Sequence, residues 1–394
     1  MKGSSLIELY RGYNLGNGRF QIFYVGSCFF LVKGEIGNIF KVAFLYMATI
    51  IGAGFASGQE IIQFFSMYYA GGFFGIILAG LLFSIVGYVV LNKVYTERIS
   101  SYDEFLFPMT GYFLGRLMEF IVMLFMACIM CVMVAGLGNV LAELTGMEYR
   151  YCVAIGAAAT LLAIMTNIKG IVTISSFLSP VLIVGIIFVG LYILASKDTS
   201  VFNISEKARV VTNNWVFSAI LYVSYNTILS TVLMTRMLPY LKTGRVGKWG
   251  GIIGGGMLCI TALVLNSALY SFYPHSIISE IPVLGIIQNN SRLLSNIYSI
   301  ILILAMYTSA VTAGYCLTER VSTKMKISYK LVAAVICAVA IPMSSLGFSR
   351  LIATLYPVFG YLGLFLLFII LFQFVRGQAS PGTGQRRGSS PGKS

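Results

Sequence analysis

Residues 51–58 read Ile51-Gly-Ala-Gly-Phe-Ala-Ser-Gly58 and lie in the middle of the first long apolar run of the chain. Three glycines and a serine are a poor choice for the centre of a membrane helix. Each glycine costs helix stability, about 1 kcal/mol against alanine. Hydrocarbon offers no water to satisfy a freed N–H or C=O. Irregular backbone at membrane depth is therefore tolerated only where it is buried in protein or lines a cavity. A first span interrupted in this way predicts a transporter-type binding site rather than a plain anchor.

The composition sets the solvent in which that stretch must be read. The 394 residues are 58% hydrophobic and 10% charged, with a mean hydropathy of +0.88; a soluble domain carries about 25% charge. The chain is an all-α integral membrane protein by these numbers. Apolar runs between polar breaks predict about ten transmembrane helices, at 38–66, 71–95, 115–143, 150–167, 171–196, 212–238, 248–272, 293–320, 328–344 and 350–375. The net charge of +14 falls in the short loops between spans. It is explained by topology, with the lipid bilayer as partner and no nucleic acid expected.

The basic residues test the parse. With the N-terminus inside, the outer segments hold only Arg150, Lys197, Lys207, Arg209, Arg292 and Arg350, and the inner segments hold the rest of the 27 Lys and Arg. This is the asymmetry of a protein in the plasma (inner) membrane with both termini cytoplasmic. A missed or invented span in mid-chain would scramble it. Residues 1–37 read as an interfacial or poorly ordered N-terminal arm, because the run Phe20–Val32 is too short to span and no signal cleavage site follows it. Residues 376–394, rich in Gly, Ser, Pro and Arg, read as a disordered C-terminal tail. The seven cysteines fall mostly in apolar segments and read as small buried residues rather than as disulfide, metal or redox groups.

The ten spans divide into two units of similar length, 38–196 and 212–375. Five spans is an odd number, so the second unit must run inverted relative to the first. The first helix of the second unit carries Tyr222-Val-Ser-Tyr-Asn-Thr227 where the first unit carries Ile51–Gly58. Neither stretch suits an uninterrupted lipid-facing helix. Corresponding interruptions in two inverted halves point to a site at the midplane.

Gly52-Ala-Gly-Phe-Ala-Ser-Gly-Gln-Glu-Ile61, followed by Gln-Phe-Phe, resembles the first helix of the YkvI-like amino-acid permease family of the amino acid–polyamine–organocation superfamily. The resemblance covers about residues 38–375. It implies a LeuT-type 5+5 inverted-repeat fold in which helices 1 and 6 are broken and hold the substrate against helices 3 and 8. The substrate residues it implies are Ile51, Gly52, Ala53, Gly54 and Phe55 from helix 1, and Tyr222, Ser224, Tyr225 and Asn226 from helix 6. Helix 3 would contribute residues around Met130, Cys131 and Val134. Thr308 and Ser309 of helix 8, with Ala305 beside them, resemble the hydroxyl pair that binds sodium together with first-helix carbonyls, here those of Ala48 and Ile51. Some proton-coupled relatives use a helix-5 lysine in its place. Here Lys169 precedes that helix and Lys197 follows it, which favours sodium as the coupling ion.

The chemistry agrees with that placement. The half-helix starting near Ala56–Gly58 would present free N–H groups to a carboxylate. Freed carbonyls would accept from an ammonium or ligate a hard cation. No basic side chain sits at this depth, so a zwitterion held mainly by backbone is expected, with Phe55 and Tyr225 closing over an apolar side chain. Glu60 is the most informative acid: an ionisable residue within a span is a gating or proton-linked candidate, the alternative being a structural position in an outer vestibule. Arg116 and Glu119 read as an i,i+3 interfacial pair, Glu319 and Arg320 as candidates for an inner gate, and His275 as a loop residue. Residues 279–296 would cap the outer vestibule.

The expectation is a secondary transporter, not an enzyme, moving a small amino acid or related zwitterion by alternating access. It would need no cofactor and would use sodium as coupling ion. The alternatives are a proton-coupled permease using Glu60 and a ligand-sensor subunit of the same fold, as in spore germinant receptors.

Overall fold

In the computed structural model the first span is helical at both ends and extended in between. Helix α1 (Glu35–Ile50) stops where the sequence turns glycine-rich, Ile51 and Gly52 are extended, and α2 (Ala53–Ala56) and α3 (Gln59–Phe64) resume the helix. The structure describes residues 34–165, 169–196, 212–272 and 279–378. The expectations for most of the N-terminal arm, for the tail beyond residue 378 and for His275 lie outside these residues.

The remaining spans follow in the expected order: α4 (Ala70–Thr96), α5 (Tyr102–Thr145), α6 (Tyr149–Met165), α7 (Lys169–Ala195), α8 (Trp215–Met234), α9 (Gly244–Ser271), α11 (Arg292–Met325), α12 (Tyr329–Ser344) and α13 (Phe348–Gln378), with a shorter helix α10 (Pro282–Asn290) before α11. Six helices of the described residues are long and apolar enough by themselves to cross a membrane. The third span begins inside α5, after a kink at Gly111 (φ 75°) that separates it from a lead-in turn containing Pro108.

The second half departs from the expected symmetry. The backbone of α8 is helical through Tyr222–Thr227, where a break was expected. The change comes later, where a 3₁₀ turn covers Thr235–Tyr240. The physical reason lies in the side chains. Asn226 Nδ2 donates to Tyr222 O (3.0 Å) and Thr227 Oγ1 to Val223 O (2.7 Å). Their polar atoms are satisfied inside a continuous helix by bonding back one turn.

Close approach of small residues holds α1, α4 and α9 together. A Cβ on Gly251 of α9 would collide with the backbone of Gly87 on α4, and one on Gly250 with Val42 of α1. Membrane helices gain packing enthalpy from such contacts, having no hydrophobic gain over lipid. The Tyr46 hydroxyl donates to Phe83 O (2.8 Å) and fixes α1 against α4. On the other side of the molecule α5 packs along α6 and α11. Glu119 forms the expected pair with Arg116 and also joins α5 to α11. It bonds Arg116 at 3.0 Å, Lys324 at 2.7 Å and Arg320 at 3.5 Å.

Candidate functional site

The break exposes two sets of backbone groups. Ile51 N–H is the last to reach back along α1, to Met47 O (2.9 Å), and Ala56 N–H is the first to do so along α2, to Gly52 O (3.0 Å). The carbonyls of Ala48 to Ile51 lie between the two ladders. Ser57 closes α2 by donating its hydroxyl to Gly54 O (2.8 Å). Gly58 then turns the chain into α3 with φ 86°, a left-handed conformation that a side chain would strain. Gly52 has open space where a Cβ would point, whereas a Cβ on Gly54 would collide with Glu60 Oε1. The two glycines therefore do different things: one borders a space, the other admits a carboxylate.

Glu60 is buried, 5% exposed. It folds back from α3 toward the break, where its Oε2 accepts the Tyr225 hydroxyl at 2.7 Å. Tyr225 is enclosed by rings, 4.9 Å from Tyr356 and 5.5 Å from both Tyr222 and Phe64 between centroids. The Tyr222 ring packs 4.9 Å from Phe65, and its buried hydroxyl has no hydrogen-bond partner among the described residues. Buried polar groups are nearly always paired, so an orphan beside an interrupted helix is informative.

The structure brings together Gly54, Glu60, Tyr222 and Tyr225, and sets other expected residues apart. Ser224 donates to Gly360 O of α13 (2.7 Å), so its hydroxyl serves helix packing. Phe55 shares a small apolar void on the α4–α9 side with Tyr222, Phe65, Phe83 and Leu258. On α5 the residue that meets Tyr225 is Phe125 (6.1 Å), while Cys131, six residues on, is buried in the core. Asn226 is engaged with its own helix.

The eighth span reaches the break through Tyr298, whose hydroxyl donates to Ala56 O (2.8 Å). Ala305 and Thr308 of the same helix are buried, 4% and 5% exposed. The Thr308 hydroxyl donates to Leu304 O (2.8 Å) and Ala305 O (3.1 Å). Donation leaves its oxygen lone pairs free, so the group fits a cation ligand.

One end of the site is closed by residues 279–283, in the segment expected to cap the outer vestibule, together with Ser349, which sequence reasoning did not name. Gln59 Nε2 donates to the carbonyls of Ser279 (3.0 Å) and Glu280 (3.1 Å). Ser349 donates through Oγ to Gln59 Oε1 (3.2 Å) and through its N–H to Glu280 Oε2 (2.8 Å). Val283 N–H reaches Ser57 O at 3.1 Å. The segment leading into α10 therefore sits over the α2–α3 junction. Tyr356 and Tyr298 were also missed. Their signal was present in the sequence, since a tyrosine deep in an apolar span carries a hydroxyl that needs a partner.

No family model matches the chain. Two proteins of Bacillus subtilis (strain 168) are similar over most of its length. The membrane protein YkvI is 29% identical over 337 residues, covering 83% of this chain and 94% of that protein. The protein YyaD is 26% identical over 331 residues, covering 84% and 95%. Among solved structures, a Na+-coupled sialic acid symporter has a TM-score of 0.54 at 15% identity, covering 84% of this chain and 78% of its own. MhsT in complex with L-phenylalanine has a TM-score of 0.54 at 15% identity, covering 83% and 87%. The manganese transporter of Eremococcus coleocola has 0.53 at 16%, covering 86% and 78%. All three are transporters, and at these identities they speak to the fold alone. The first-helix resemblance extends along most of the chain as similarity to YkvI, and the chain is an integral membrane protein with the LeuT fold.

Proposed function

We propose that the chain is a secondary transporter that moves a small amino acid or related zwitterion by alternating access. The observation that carries this is the interruption of the first span at Ile51–Gly52, buried in protein and faced by Glu60 and Tyr225. An extended stretch at this depth leaves N–H and C=O groups for a solute, and a plain anchor would not tolerate it. The span would move with its neighbours α4, α8 and α9 against the α5–α6–α11–α12 side. The Lys and Arg asymmetry supports a plasma-membrane protein with both termini in the cytoplasm.

Sodium is the coupling ion in this reading. Its ligands would be the carbonyls of Ala48, Ile51 and Ala305 and the hydroxyls of Thr308 and Ser309, an all-oxygen set suited to a hard cation. A second reading, proton coupling through Glu60, is favoured by the burial of that carboxyl beside Tyr225. A thermal-shift panel of amino acids, with and without sodium, separates the two. Ligand binding to the folded state raises apparent stability by mass action. Sodium coupling gives a solute-dependent rise that requires sodium and is lost in Thr308→Ala. A rise that ignores sodium and survives Thr308→Ala removes the sodium reading.

A further inference from the structure

The surroundings of Glu60 leave one interaction unmade, and we infer that a positively charged amino group of the solute makes it. Glu60 is the ammonium anchor of the site, bonded to Tyr225, whose ring packs with those of Tyr222 and Tyr356; in the closed, solute-free state its carboxyl holds a proton instead. This rests on the transporter reading, since it names the class of solute held at the same break.

The carboxyl is half satisfied. Oε2 accepts the Tyr225 hydroxyl at 2.7 Å. Oε1 lies against Gly54 and accepts no hydrogen bond among the described residues. Glu60 also has no ion pair among the described residues; those present join Lys93 to Glu97, Arg150 to Glu148, and Arg116, Arg320 and Lys324 to Glu119. An isolated ionised carboxylate out of water is strongly disfavoured, and such a group neutralises itself unless a cation is supplied. Tyr225 of α8 is bonded to it, and the titratable groups packed on Tyr225 are Tyr222 of the same helix and Tyr356 of α13. None of them brings a positive charge.

The rings select what kind of cation fits. Tyr225 lies 4.9 Å from Tyr356 and 5.5 Å from Tyr222, with Phe125 6.1 Å from both Tyr225 and Tyr356. Aromatic faces around a carboxylate attract an organic ammonium, which gains from the ring quadrupoles as well as from the charge. An ammonium is donor-only, with three N–H groups. It matches the acceptor capacity left on Glu60 Oε1; the Tyr222 hydroxyl, in the same ring cluster, is buried with no partner among the described residues. A solute carboxylate at the same point would meet like charge. The exchange balances simply: the arriving ammonium pairs with the Glu60 carboxylate, and the proton Glu60 had held leaves to water on the open side.

N,N′-dicyclohexylcarbodiimide, which adds to protonated carboxyls in apolar surroundings, reads both parts. The full chain in detergent at neutral pH is treated and the adduct located by peptide mass spectrometry. Glu60 is expected to be labelled and Glu119, ion-paired, to be spared; Glu60→Gln loses the adduct. If that variant does not fold, the wild-type peptide map alone locates the modification. N,N-Dimethylphenethylamine or N,N-dimethylpropylamine, protonated at this pH but unable to be coupled to an activated carboxyl as an amide, should slow labelling of Glu60 severalfold, and the N-acetyl derivatives of the parent amines, which lack the charge, should not. An unlabelled Glu60 overturns the proton assignment. Labelling that neither amine slows, or that the N-acetyl derivatives slow equally, overturns the ammonium assignment. Labelling needs no turnover, so a chain that passes these tests but accumulates no solute in vesicles fails the transporter reading alone.

Discussion

The first span and the sixth were expected to mirror each other, and they answer the same problem in opposite ways. Both place polar or flexible residues in the middle of an apolar run. In the first, Gly52 and Gly54 have no side chain to give back to the ladder, and the helix parts at Ile51–Gly52. In the sixth, Asn226 and Thr227 bond to carbonyls one turn earlier and the helix runs on to Met234. Side-chain bonds of this kind satisfy Asn and Thr without breaking the backbone ladder. Glycine permits a break without forcing one: Gly250, Gly251, Gly254 and Gly255 stay helical in α9, where they pack against α1 and α4. The asymmetry places the irregular backbone on one side of the site and the aromatic side chains on the other.

The comparison is most easily broken at Gly54. Gly54→Val should place its branched side chain on the Glu60 carboxyl and displace it from Tyr225. Overpacking of this kind costs about 1–3 kcal/mol, and solute binding by thermal shift should disappear. Gly52→Ala is its control: the extended φ of −107° and the open space beside it predict unchanged thermal stability. A Gly54→Val protein that binds solute as the wild type does would separate the glycine from the site.

Tyr225→Phe comes next. It removes the sole hydroxyl bonded to Glu60 while keeping the ring. Hydrogen bonds to charged groups contribute ~1.5–3 kcal/mol, so solute affinity should fall by about tenfold or more, with a smaller change in melting temperature. Glu119→Gln tests the opposite side of the molecule. It keeps the shape but weakens the bonds to Arg116, Arg320 and Lys324. Those cations are partly exposed, 27–50% of their side-chain surface, so screening holds the loss to about 1 kcal/mol. Melting temperature should fall while solute affinity stays constant. The smallest effect belongs to Ser224→Ala. It removes the bond to Gly360 O, worth about 1 kcal/mol, and should leave affinity untouched. A drop in affinity there would return Ser224 to the site and reopen the sixth span.

Much of the fold was legible because bilayer physics is written in composition. Long apolar runs and the side on which Lys and Arg fall define spans without any tertiary information. The break at Gly52 was legible for the same reason, since nothing in its residues could repair the ladder. The site was less legible. The partnership of Glu60 with Tyr225 joins residues 165 apart, and its direction depends on Glu60 folding back over a glycine rather than pointing outward. Ser224 and Tyr225 are adjacent in sequence, yet one faces α13 and the other the break, because neighbouring residues on a helix point about 100° apart. The closing contacts join three distant segments: Gln59 meets the backbone carbonyls of Ser279 and Glu280, which carry no sequence signal, and the hydroxyl of Ser349.

Uptake of a radiolabelled amino-acid mixture into proteoliposomes, under an imposed sodium or proton gradient, tests most directly whether the interrupted first span works as a transport site. The account predicts accumulation above protein-free vesicles that collapses when the gradient is dissipated and is absent in Gly54→Val, while Gly52→Ala still folds and inserts. Accumulation that Gly54→Val leaves intact, or none under either gradient from correctly folded protein, would contradict it.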